Sequence, residues 1–395
     1  MGTRSQDEAP LDYASAGVDT AAGDRAVDLM KEAVSRTHDA TVVGATGGFA
    51  GMVDASALVG MRRPLLATST DGVGTKIAIA RALGVHDTIG QDLVGMVVDD
   101  IAVVGARPLL MTDYIACGRV VPERIAAIVT GVARACASIG CPLVGGETAE
   151  HPGLMAPDDY DIAGAATGVV DADDVLGPDR VRAGDVLVAL ASSGLHSNGY
   201  SLVRRVVERT GVPLEAEVPE FGRTLGEELL EPTRLYAALC RELLVDPAIG
   251  AAPGGPGLHA LAHITGGGLA ANLSRVLPGG LVGRVDRSSW GVPPVFDWVR
   301  RGGDIAWEAL EDALNLGVGM VAVAAPDAVD RIASVAGSRG VGAWILGDVI
   351  DEGAPAPARS DSGRSGASGL PTRLVTGTKG VRGGAVRLVG DYRVG

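Results

Sequence analysis

The feature that most constrains the fold is the alternation of strand-like and helix-like segments along the first half of the chain. The strand-like segments read RRPLLATS, RPLLMTDYIACG, CPLVGGETAE and YDIAGAATGVV. Two segments among them, HDTIGQDLVGMVVDDIAVVGA and VPERIAAIVTGVARACASIGC, repeat apolar residues at helical spacing. Pro122 stands near the start of the second helical segment and Gly140 at its end, where these residue types favour helix boundaries. The alternation predicts an α/β fold.

The polar, turn-rich stretch DADDVLGPDRVRAGD, residues 171–185, predicts a domain boundary, and a second α/β unit follows it. The chain has 395 residues, which is enough for two cores. We therefore predict an N-terminal domain over residues 1–170 and a C-terminal α/β domain over 171–350. Residues 351–383 have the composition of a flexible insertion, and 384–395 alternate like a final strand. The alternative is that everything after Asp351 is a disordered extension.

Composition excludes several classes of function. The net charge of −14 argues against general binding to nucleic acid or to membrane surfaces. No segment has the pattern of a targeting signal or a membrane span, so we expect a cytoplasmic protein. The four cysteines form no CxxC pair and are expected to be reduced and buried. A chain this acidic needs metal ions, backbone N–H groups or local cations if its substrate is a phosphate.

Three acidic positions stand beside apolar or glycine residues, where an isolated charge is costly. They are Asp71 in TSTDGVGTK, the pair Asp99–Asp100 in MVVDDIAVV, and Glu147 in PLVGGETAE. Taken singly, each is more simply a helix cap, a surface acid or, for Asp71-Gly72, a turn. Together they favour a shared Mg²⁺ site, because Mg²⁺ binds one or two carboxylates together with phosphate oxygens and water.

Two glycine-rich loops lead into helical segments, SSGLHSNG before Tyr200 and TGGGL before Ala270. Such loops present free N–H groups and the positive end of a helix dipole to anions. A third stretch, GATGGFAG, has no clear helix after it. Neither a Walker A motif nor a GxGxxG loop after a strand is present, which disfavours P-loop and dinucleotide-binding folds. His196 in the first loop is either a hydrogen-bonded loop histidine or a group that contacts substrate or moves a proton.

Six motifs in order, STDGVGTK, HDTIGQDLVGMVVDDI, CPLVGGETAEHPG, SSGLHSNGYSLVR, ITGGGLAANLSRVLP and LNLGVGM, closely resemble the phosphoribosylformylglycinamidine cyclo-ligases, or aminoimidazole ribonucleotide synthetases. The resemblance implies an enzyme of purine biosynthesis that uses ATP and Mg²⁺ to close the imidazole ring of formylglycinamidine ribonucleotide, releasing ADP and phosphate. It also implies two α/β domains, with a C-terminal mixed sheet. The N-terminal sheets of two subunits are expected to pair into a barrel-like homodimer.

The resemblance assigns roles residue by residue. The catalytic residues it implies are Asp71, Lys76, Asp100 and His196. The nucleotide- or phosphate-binding residues are Lys31, Gly72, Gly74, Thr75, Ser197, Asn198, Gly266, Gly267 and Gly268, and the Mg²⁺ ligands are Asp71, Asp100 and Glu147. The chain departs from the family where Asp99 replaces the usual asparagine and where EDALNLG lacks the usual Arg-Thr-Phe, so only Asn315 is carried over there. His151, where methionine is common, and Asp99 receive no role.

Two alternatives remain open. One is another ATP-using enzyme of the same superfamily, namely the amidotransferase-type synthetase, thiamine-phosphate kinase or selenophosphate synthetase. The last of these needs a reactive residue near its N-terminus, whereas the earliest cysteine here is Cys117. The other is a non-catalytic nucleotide-binding protein on the same fold, because a fold does not fix a function. The acids at the three candidate metal positions argue against it.

Overall fold

A computed structural model of the chain describes residues 17–44, 47–249, 257–353, 369–378 and 383–394. The strands are β1 Val42–Val43, β2 Met52–Val53, β3 Pro64–Gly72, β4 Arg107–Cys117, β5 Leu143–Glu150, β6 Tyr160–Asp171, β7 Val186–Ala191, β8 Glu217–Val218, β9 Arg223–Thr224, β10 Leu258–His263, β11 Leu281–Asp286, β12 Gly291–Val292, β13 Val318–Ala324, β14 Ala343–Asp351, β15 Arg373–Thr376, β16 Ala385–Val389 and β17 Arg393–Val394. The α-helices are α1 Thr20–Ser35, α2 Ile77–Leu83, α3 Asp87–Ala102, α4 Pro122–Ile139, α5 Tyr200–Thr210, α6 Leu225–Leu229, α7 Ala237–Val245, α8 Gly268–Leu273, α9 Pro294–Gly303, α10 Trp307–Glu311 and α11 Val329–Ser338.

The N-terminal sheet has four strands in the order β3-β6-β4-β5. Strand β6 is antiparallel to both β3 and β4, whereas β5 runs parallel to β4. Helix α3 packs on one face of the sheet, and α4 packs against α3. The opposite face is open, and Leu66 and Tyr114 are exposed there at 67% and 41%. Within the described residues, one face of this sheet is therefore buried and the other is open.

Helices α3 and α4 of this domain form where the sequence predicts them. The apolar stripe of α3, with Leu93, Val97 and Ile101, is buried against the sheet. Helix α4 begins with Pro122 in its first turn and ends at Gly140, which adopts a φ of +68° as a left-handed C-cap. The prediction of both helix boundaries in α4 is confirmed.

Strand β5 is longer than predicted. The sequence suggested a short strand running into a Gly-Gly loop, but the strand continues through Gly145 and Gly146 to Glu150. The reason is close packing, since a Cβ at Gly146 would overlap Oδ1 of Asp113 on the neighbouring strand β4. Glycine serves here as a spacer within a sheet and does not mark a turn.

The C-terminal sheet has seven strands in the order β10-β13-β7-β14-β11-β16-β15. All its neighbours are antiparallel except β11 and β16, so the sheet is mixed. Every residue of β13 is buried, because apolar clusters cover both faces. Helices α5, α7 and α11 contribute to one cluster and α8 to the other. The predicted α/β class is therefore confirmed.

The end of the chain joins this sheet. The segment predicted as a final strand, Gly384 to Arg393, forms β16 and β17, and Val386 and Leu388 are buried. The expectation that residues 351–383 lack structure needs correction, because β15 within them pairs antiparallel with β16. Residues 354–368 and 379–382 lie outside the described residues.

The four cysteines are free and buried, as predicted. Over the described ranges, the structure contains no helix long and apolar enough to cross a lipid bilayer.

Candidate active site

The acids Asp71 and Asp100 lie beside a histidine that comes from the other domain. Asp71 is near the end of β3 and Asp100 is in the last turn of α3. His263, the last residue of β10, places its Nδ1 2.9 Å from Asp100 Oδ1. Charges on both acids act on His263. The cluster therefore lies where the N-terminal helix α3 meets the C-terminal sheet.

Burial and mutual charge shift the protonation equilibria of this cluster. Burial raises the pKa of Asp71, the charge of Asp100 adds to the rise, and a 2.7 Å hydrogen bond from Gly72 N to Asp71 Oδ1 opposes it. Burial alone would lower the pKa of His263, but the hydrogen bond to Asp100 and the nearby carboxylates raise it above its ordinary value. The site concentrates negative charge, and His263 holds its proton to higher pH than a free histidine does.

His263 is a residue that the sequence reasoning missed. Its Nε2 atom is buried and has no hydrogen-bond partner among the described residues. A buried polar atom without a partner is unusual in a folded protein, so this nitrogen is available to a ligand. The signal was present in HALAHITGGG, where a histidine at a strand end directly precedes a glycine loop.

Asp99, to which the sequence gave no role, anchors the first turn of α7. It is buried, and its carboxylate accepts hydrogen bonds from the backbone N–H groups of Tyr236 and Ala237 at 2.7–3.1 Å. Burial raises the pKa of Asp99 to about 7, against the charge of His263 and these two donors. Asp99 therefore caps a helix of the other domain, as carboxylates do at helix N-termini.

Lys76 does not face the open side of the site. Its ammonium is fully buried, and Nζ donates to Asp92 Oδ1 at 2.8 Å, to the carbonyl of His196 at 3.0 Å and to that of Glu231 at 2.7 Å. All three ammonium donors are thus used within the protein. Lys76 therefore links the DGVGTK turn to the C-terminal domain, and its ammonium has no N–H left for the predicted contact with phosphate.

Glu147 points away from Asp71 and Asp100. Asp71 lies opposite Gly164, which lies opposite Asp113, so these positions share the sheet face on which α3 packs. Glu147 pairs with Tyr114 one position further along, on the open face. The described residues also contain no group of three or more potential metal ligands. The expected three-carboxylate site is therefore not assembled within one chain.

The DGVGTK turn and the two glycine loops meet at this site. Ser197 Oγ donates to the carbonyl of Val73 at 3.0 Å, and Gly266 N donates to Asn198 Oδ1 at 3.0 Å. Thr75 Oγ1 lies 3.3 Å from the hydroxyl of Ser201. Three separate stretches of sequence that were predicted to bind phosphate are thus joined by direct hydrogen bonds.

Positive φ angles explain the glycines in these stretches. Gly74 has a φ of +68°, and Gly267 and Gly268 have φ values of +96° and +72°. A Cβ at Gly268 would also overlap the carbonyl oxygen of Glu311. Asn272 holds the loop from below, since its Nδ2 donates to the carbonyl of Gly268 at 2.8 Å. The loop TGGG is fixed by this backbone geometry.

His196 is buried and unprotonated. Its φ is +60°, and Ser193 N donates to its Nε2 at 3.2 Å, which places the ring proton on Nδ1. Nδ1 is buried without a partner among the described residues. Burial, together with the positive charges of His263, Lys76 and Arg234, lowers the pKa of His196 well below its ordinary value. His196 is a neutral ring with one free N–H donor.

Two predicted residues differ in where they lie. Asn315 is buried, accepts hydrogen bonds from Ser192 Oγ and Gly317 N, and donates from Nδ2 to the carbonyl of Gly194 at 3.0 Å, so it braces the SSGLHSNG loop. Lys31 is exposed on α1, which packs against α4 and the edge strand β5. That edge is the opposite side of the sheet from β3, so the phosphate contact of Lys31 stays a prediction.

Comparison with known proteins assigns both domains. Residues 53–170 match the family "AIR synthase related protein, N-terminal domain", and residues 182–357 match "AIR synthase related protein, C-terminal domain". Among solved structures, thiamine-monophosphate kinase from Stenotrophomonas maltophilia K279a aligns with a TM-score of 0.60 at 20% identity, covering 82% of this chain and 93% of that one. E. coli HypE, a hydrogenase maturation protein, aligns with a TM-score of 0.57 at 20% identity, covering 82% and 90%. At such identities the likeness shows the shared fold alone.

Curated relatives are much more similar in sequence. The phosphoribosylformylglycinamidine cyclo-ligase of Geobacillus kaustophilus (strain HTA426) is 48% identical over 338 residues, which is 85% of this chain and 95% of that protein. The cyclo-ligase of Sorangium cellulosum (strain So ce56) is 46% identical over 342 residues, or 86% and 96% of the two chains. With both domains matched and this identity spanning most of its length, the chain belongs to the phosphoribosylformylglycinamidine cyclo-ligase family.

Proposed function

We propose that this protein closes the imidazole ring of formylglycinamidine ribonucleotide with ATP, giving aminoimidazole ribonucleotide, ADP and phosphate. The observation that carries the proposal is that predicted site residues meet between the two domains, in a chain that is 48% identical to a cyclo-ligase. There the pair Asp100–His263 adjoins Asp71 and the two glycine loops.

The reaction has two steps. The formyl oxygen attacks the γ-phosphorus of ATP and ADP leaves. An amidine nitrogen then attacks the activated carbon, the carbon–oxygen bond breaks, and the formyl oxygen departs in the phosphate. Phosphoryl transfer of this kind needs positioning and charge stabilisation more than a nucleophile on the protein. The loops of the site supply backbone N–H groups for such oxygens.

Asp71 and Asp100 are the residues that fit Mg²⁺. Both are carboxylates, and the charge of Asp100 helps to raise the pKa of Asp71, a repulsion that a divalent cation relieves. When bound, the ion neutralises charge on the phosphate oxygens. His263 orients Asp100 through the 2.9 Å hydrogen bond, and Lys76 holds the DGVGTK turn against the loop of His196. His196, being neutral, offers an N–H donor and does not act as an acid.

We also propose a homodimer that pairs the open faces of two N-terminal sheets into a barrel. Leu66 and Tyr114 are exposed on that face, and Phe49, Met52 and Leu154 are exposed in neighbouring segments of the same domain. Apolar surface of this kind marks an interaction site. Light scattering after size exclusion should give twice the chain mass of 39.9 kDa. A monomer at micromolar concentration would refute the dimer.

The four cysteines are free and buried, which fits a protein of a reducing compartment, and we infer that this compartment is the cytoplasm.

The test of function is an assay of ADP release with three substrates. Formylglycinamidine ribonucleotide should support turnover together with formation of aminoimidazole ribonucleotide, detected by its diazotisable amine. Thiamine phosphate and selenide should not. Turnover with either of these two, or ADP release without the amine product, would refute the proposed reaction.

A further inference from the structure

We propose that the C-terminal segment, the described residues 369–378 and 383–394, positions both glycine loops of the active site through Arg287 and Glu311. This inference rests on the proposed function, because the segment is given a role in positioning loops that bind the proposed substrates, although its own residues touch no substrate. The family match ends at residue 357, so the segment lies beyond the part of the chain that it covers.

Arg287, which forms a buried ion pair with Glu311, connects the C-terminal segment to the rest of the C-terminal domain. Arg287 follows β11 and is fully buried, and its Nε donates to Glu311 Oε1 at 2.6 Å. Its Nη1 donates to three carbonyls of the C-terminal segment, those of Pro371, Leu388 and Gly390, at 3.2–3.4 Å. A buried guanidinium must keep its partners, so the position of Arg287 depends on this segment.

The segment also holds Glu311 directly. Tyr392 donates its hydroxyl proton to Glu311 Oε1 at 3.0 Å, and Arg373 Nη1 donates to Glu311 Oε2 at 3.3 Å. Arg373 reaches Asp312 as well, with Nη2 2.7 Å from both carboxylate oxygens. Both oxygens of a buried carboxylate at the end of α10 are thus engaged by residues after position 369.

The chain that follows Glu311 backs both glycine loops. We call residues 311–317 the backing segment. A Cβ at Gly268 would lie 1.7 Å from the carbonyl oxygen of Glu311, and a Cβ at Gly199 would lie 2.3 Å from Cδ2 of Leu314, so both glycines pack directly against the backing segment. Asn315 in the backing segment binds the carbonyl of Gly194. A shift of the backing segment therefore moves the TGGG loop and the SSGLHSNG loop together.

Aromatic packing ties the segment to the same region. The ring of Tyr392 lies 4.7 Å from that of Trp307 and 5.5 Å from that of Trp290, measured between centroids. Trp290 Nε1 donates to the carbonyl of Leu316 in the backing segment at 2.9 Å. Tyr392 thus contacts the start of α10 and, through Trp290, the end of the backing segment.

The experiment compares three point variants of the full chain. Arg373→Gln removes the contacts to Glu311 and Asp312, and Tyr392→Phe removes one donor while keeping the ring. Arg393→Gln is the matched control, because it removes the same charge from an exposed residue of the same segment. The readouts are KM for ATP and for formylglycinamidine ribonucleotide, kcat, and amide hydrogen exchange of residues 198–199 and 266–268 in the ligand-free protein.

We expect Arg373→Gln and Tyr392→Phe to raise KM about threefold to tenfold, or about 0.7–1.4 kcal/mol, with kcat changed less than about twofold. Exchange of the loop amides should quicken by a similar factor, and the control should change neither. If KM and loop exchange match the control in both variants, even with a lowered melting temperature, the segment is merely structural and the proposal is overturned. If the parent protein shows no turnover, the proposed function fails and loop exchange alone decides the inference.

Discussion

At the scale of single residues, the acids of helix α3 do different work although they look alike in the sequence. Asp92 accepts hydrogen bonds from Lys76 Nζ and from Thr233, and Asp99 caps α7, so both are buried anchors for the other domain. Asp100, with its side chain 41% exposed, faces His263. The sequence pattern singled out the pair Asp99–Asp100 as unusual but did not distinguish its two members, and only the family resemblance separated them, by giving a metal-binding role to Asp100 and no role to Asp99. Which acid is covered depends on how the second domain docks on α3, and no local pattern encodes that contact.

Asp100→Asn should leave the fold intact and cut turnover roughly a hundredfold or more, because it removes a charge that we assign to Mg²⁺ binding. Asparagine keeps an oxygen for the hydrogen bond to His263, so the unfolding midpoint should barely move. The measurement is kcat at matched Mg²⁺ together with a thermal melt. Asp24→Asn, at an exposed position of α1, is the control and should behave like the parent. Near-normal turnover of the Asp100 variant would remove Asp100 from the metal site.

Asp113 gives a prediction about pH. Burial raises the pKa of this carboxyl to about 7, and its Oδ2 has no partner among the described residues. Between pH 4 and 7 the folded state keeps a proton that the unfolded state has lost, so this group's contribution to stability is lost as pH rises through that window. Each unit of pKa shift corresponds to about 1.4 kcal/mol. Asp113→Asn should therefore be more stable relative to the parent at pH 8 than at pH 5.

The check is the free energy of unfolding by denaturant at both pH values. Asp161→Asn, at an exposed position of β6 in the same sheet, is the control and should show no such difference. An equal effect of Asp113→Asn at the two pH values would mean that the carboxyl is not held neutral in the fold.

At the scale of elements, the long periodic segments were predictable and the close approaches between them were not. The stripe of α3 and the boundaries of α4 follow from spacing, proline and glycine alone. The path of β5 through Gly145-Gly146 does not, because it depends on Asp113 of the next strand. His263 was missed for the same kind of reason. Its role in the site depends on the hydrogen bond to Asp100, which is 163 positions away in sequence.

Gly268 tests how tightly the site-forming loop is packed. Its φ is +72°, and a Cβ would overlap the carbonyl oxygen of Glu311. Gly268→Ala is therefore destabilised both by the left-handed backbone conformation and by the steric overlap. Gly340→Ala is a matched control, because its φ is +68° and nothing lies within 4 Å of the added Cβ. We expect about 1 kcal/mol of destabilisation in the control. For Gly268→Ala we expect about 3 kcal/mol or more, with a raised KM for ATP. Equal costs in the two variants would show that α8 and α10 separate easily.

At the scale of the whole molecule, the two domains are joined by buried polar contacts at the same place where substrate is expected to bind. Lys76 bonds to the carbonyls of His196 and Glu231, Ser197 bonds to Val73, and Asp99 caps α7. These contacts fix the geometry between the DGVGTK turn and the glycine loops. They also use all three donors of Lys76. In a chain with a net charge of −14, the proposed function therefore relies on backbone N–H groups, His196, His263 and the Mg²⁺ that we assign to Asp71 and Asp100 to bind phosphate, and the contact of Lys31 stays a prediction.

The last prediction concerns the end of the chain, where the sequence left a choice between a final strand and a disordered extension. Truncation after Asp351 removes β15, β16 and β17 and takes from Arg287 three carbonyl acceptors in a fully buried setting. Arg287 keeps its ion pair with Glu311, but its Nη1 loses those acceptors and the buried side chains of Val386 and Leu388 are lost from the sheet. Because a buried donor without an acceptor costs about 1–3 kcal/mol, we expect the melting temperature to fall by about 10 °C or more, or the protein to become insoluble. Replacing residues 354–368 with a Gly-Ser linker of equal length should leave stability unchanged, since that stretch, APAPARSDSGRSGAS, has no large apolar residue to bury. A truncated chain that melts with the parent would show that the C-terminal strands add nothing to the second domain.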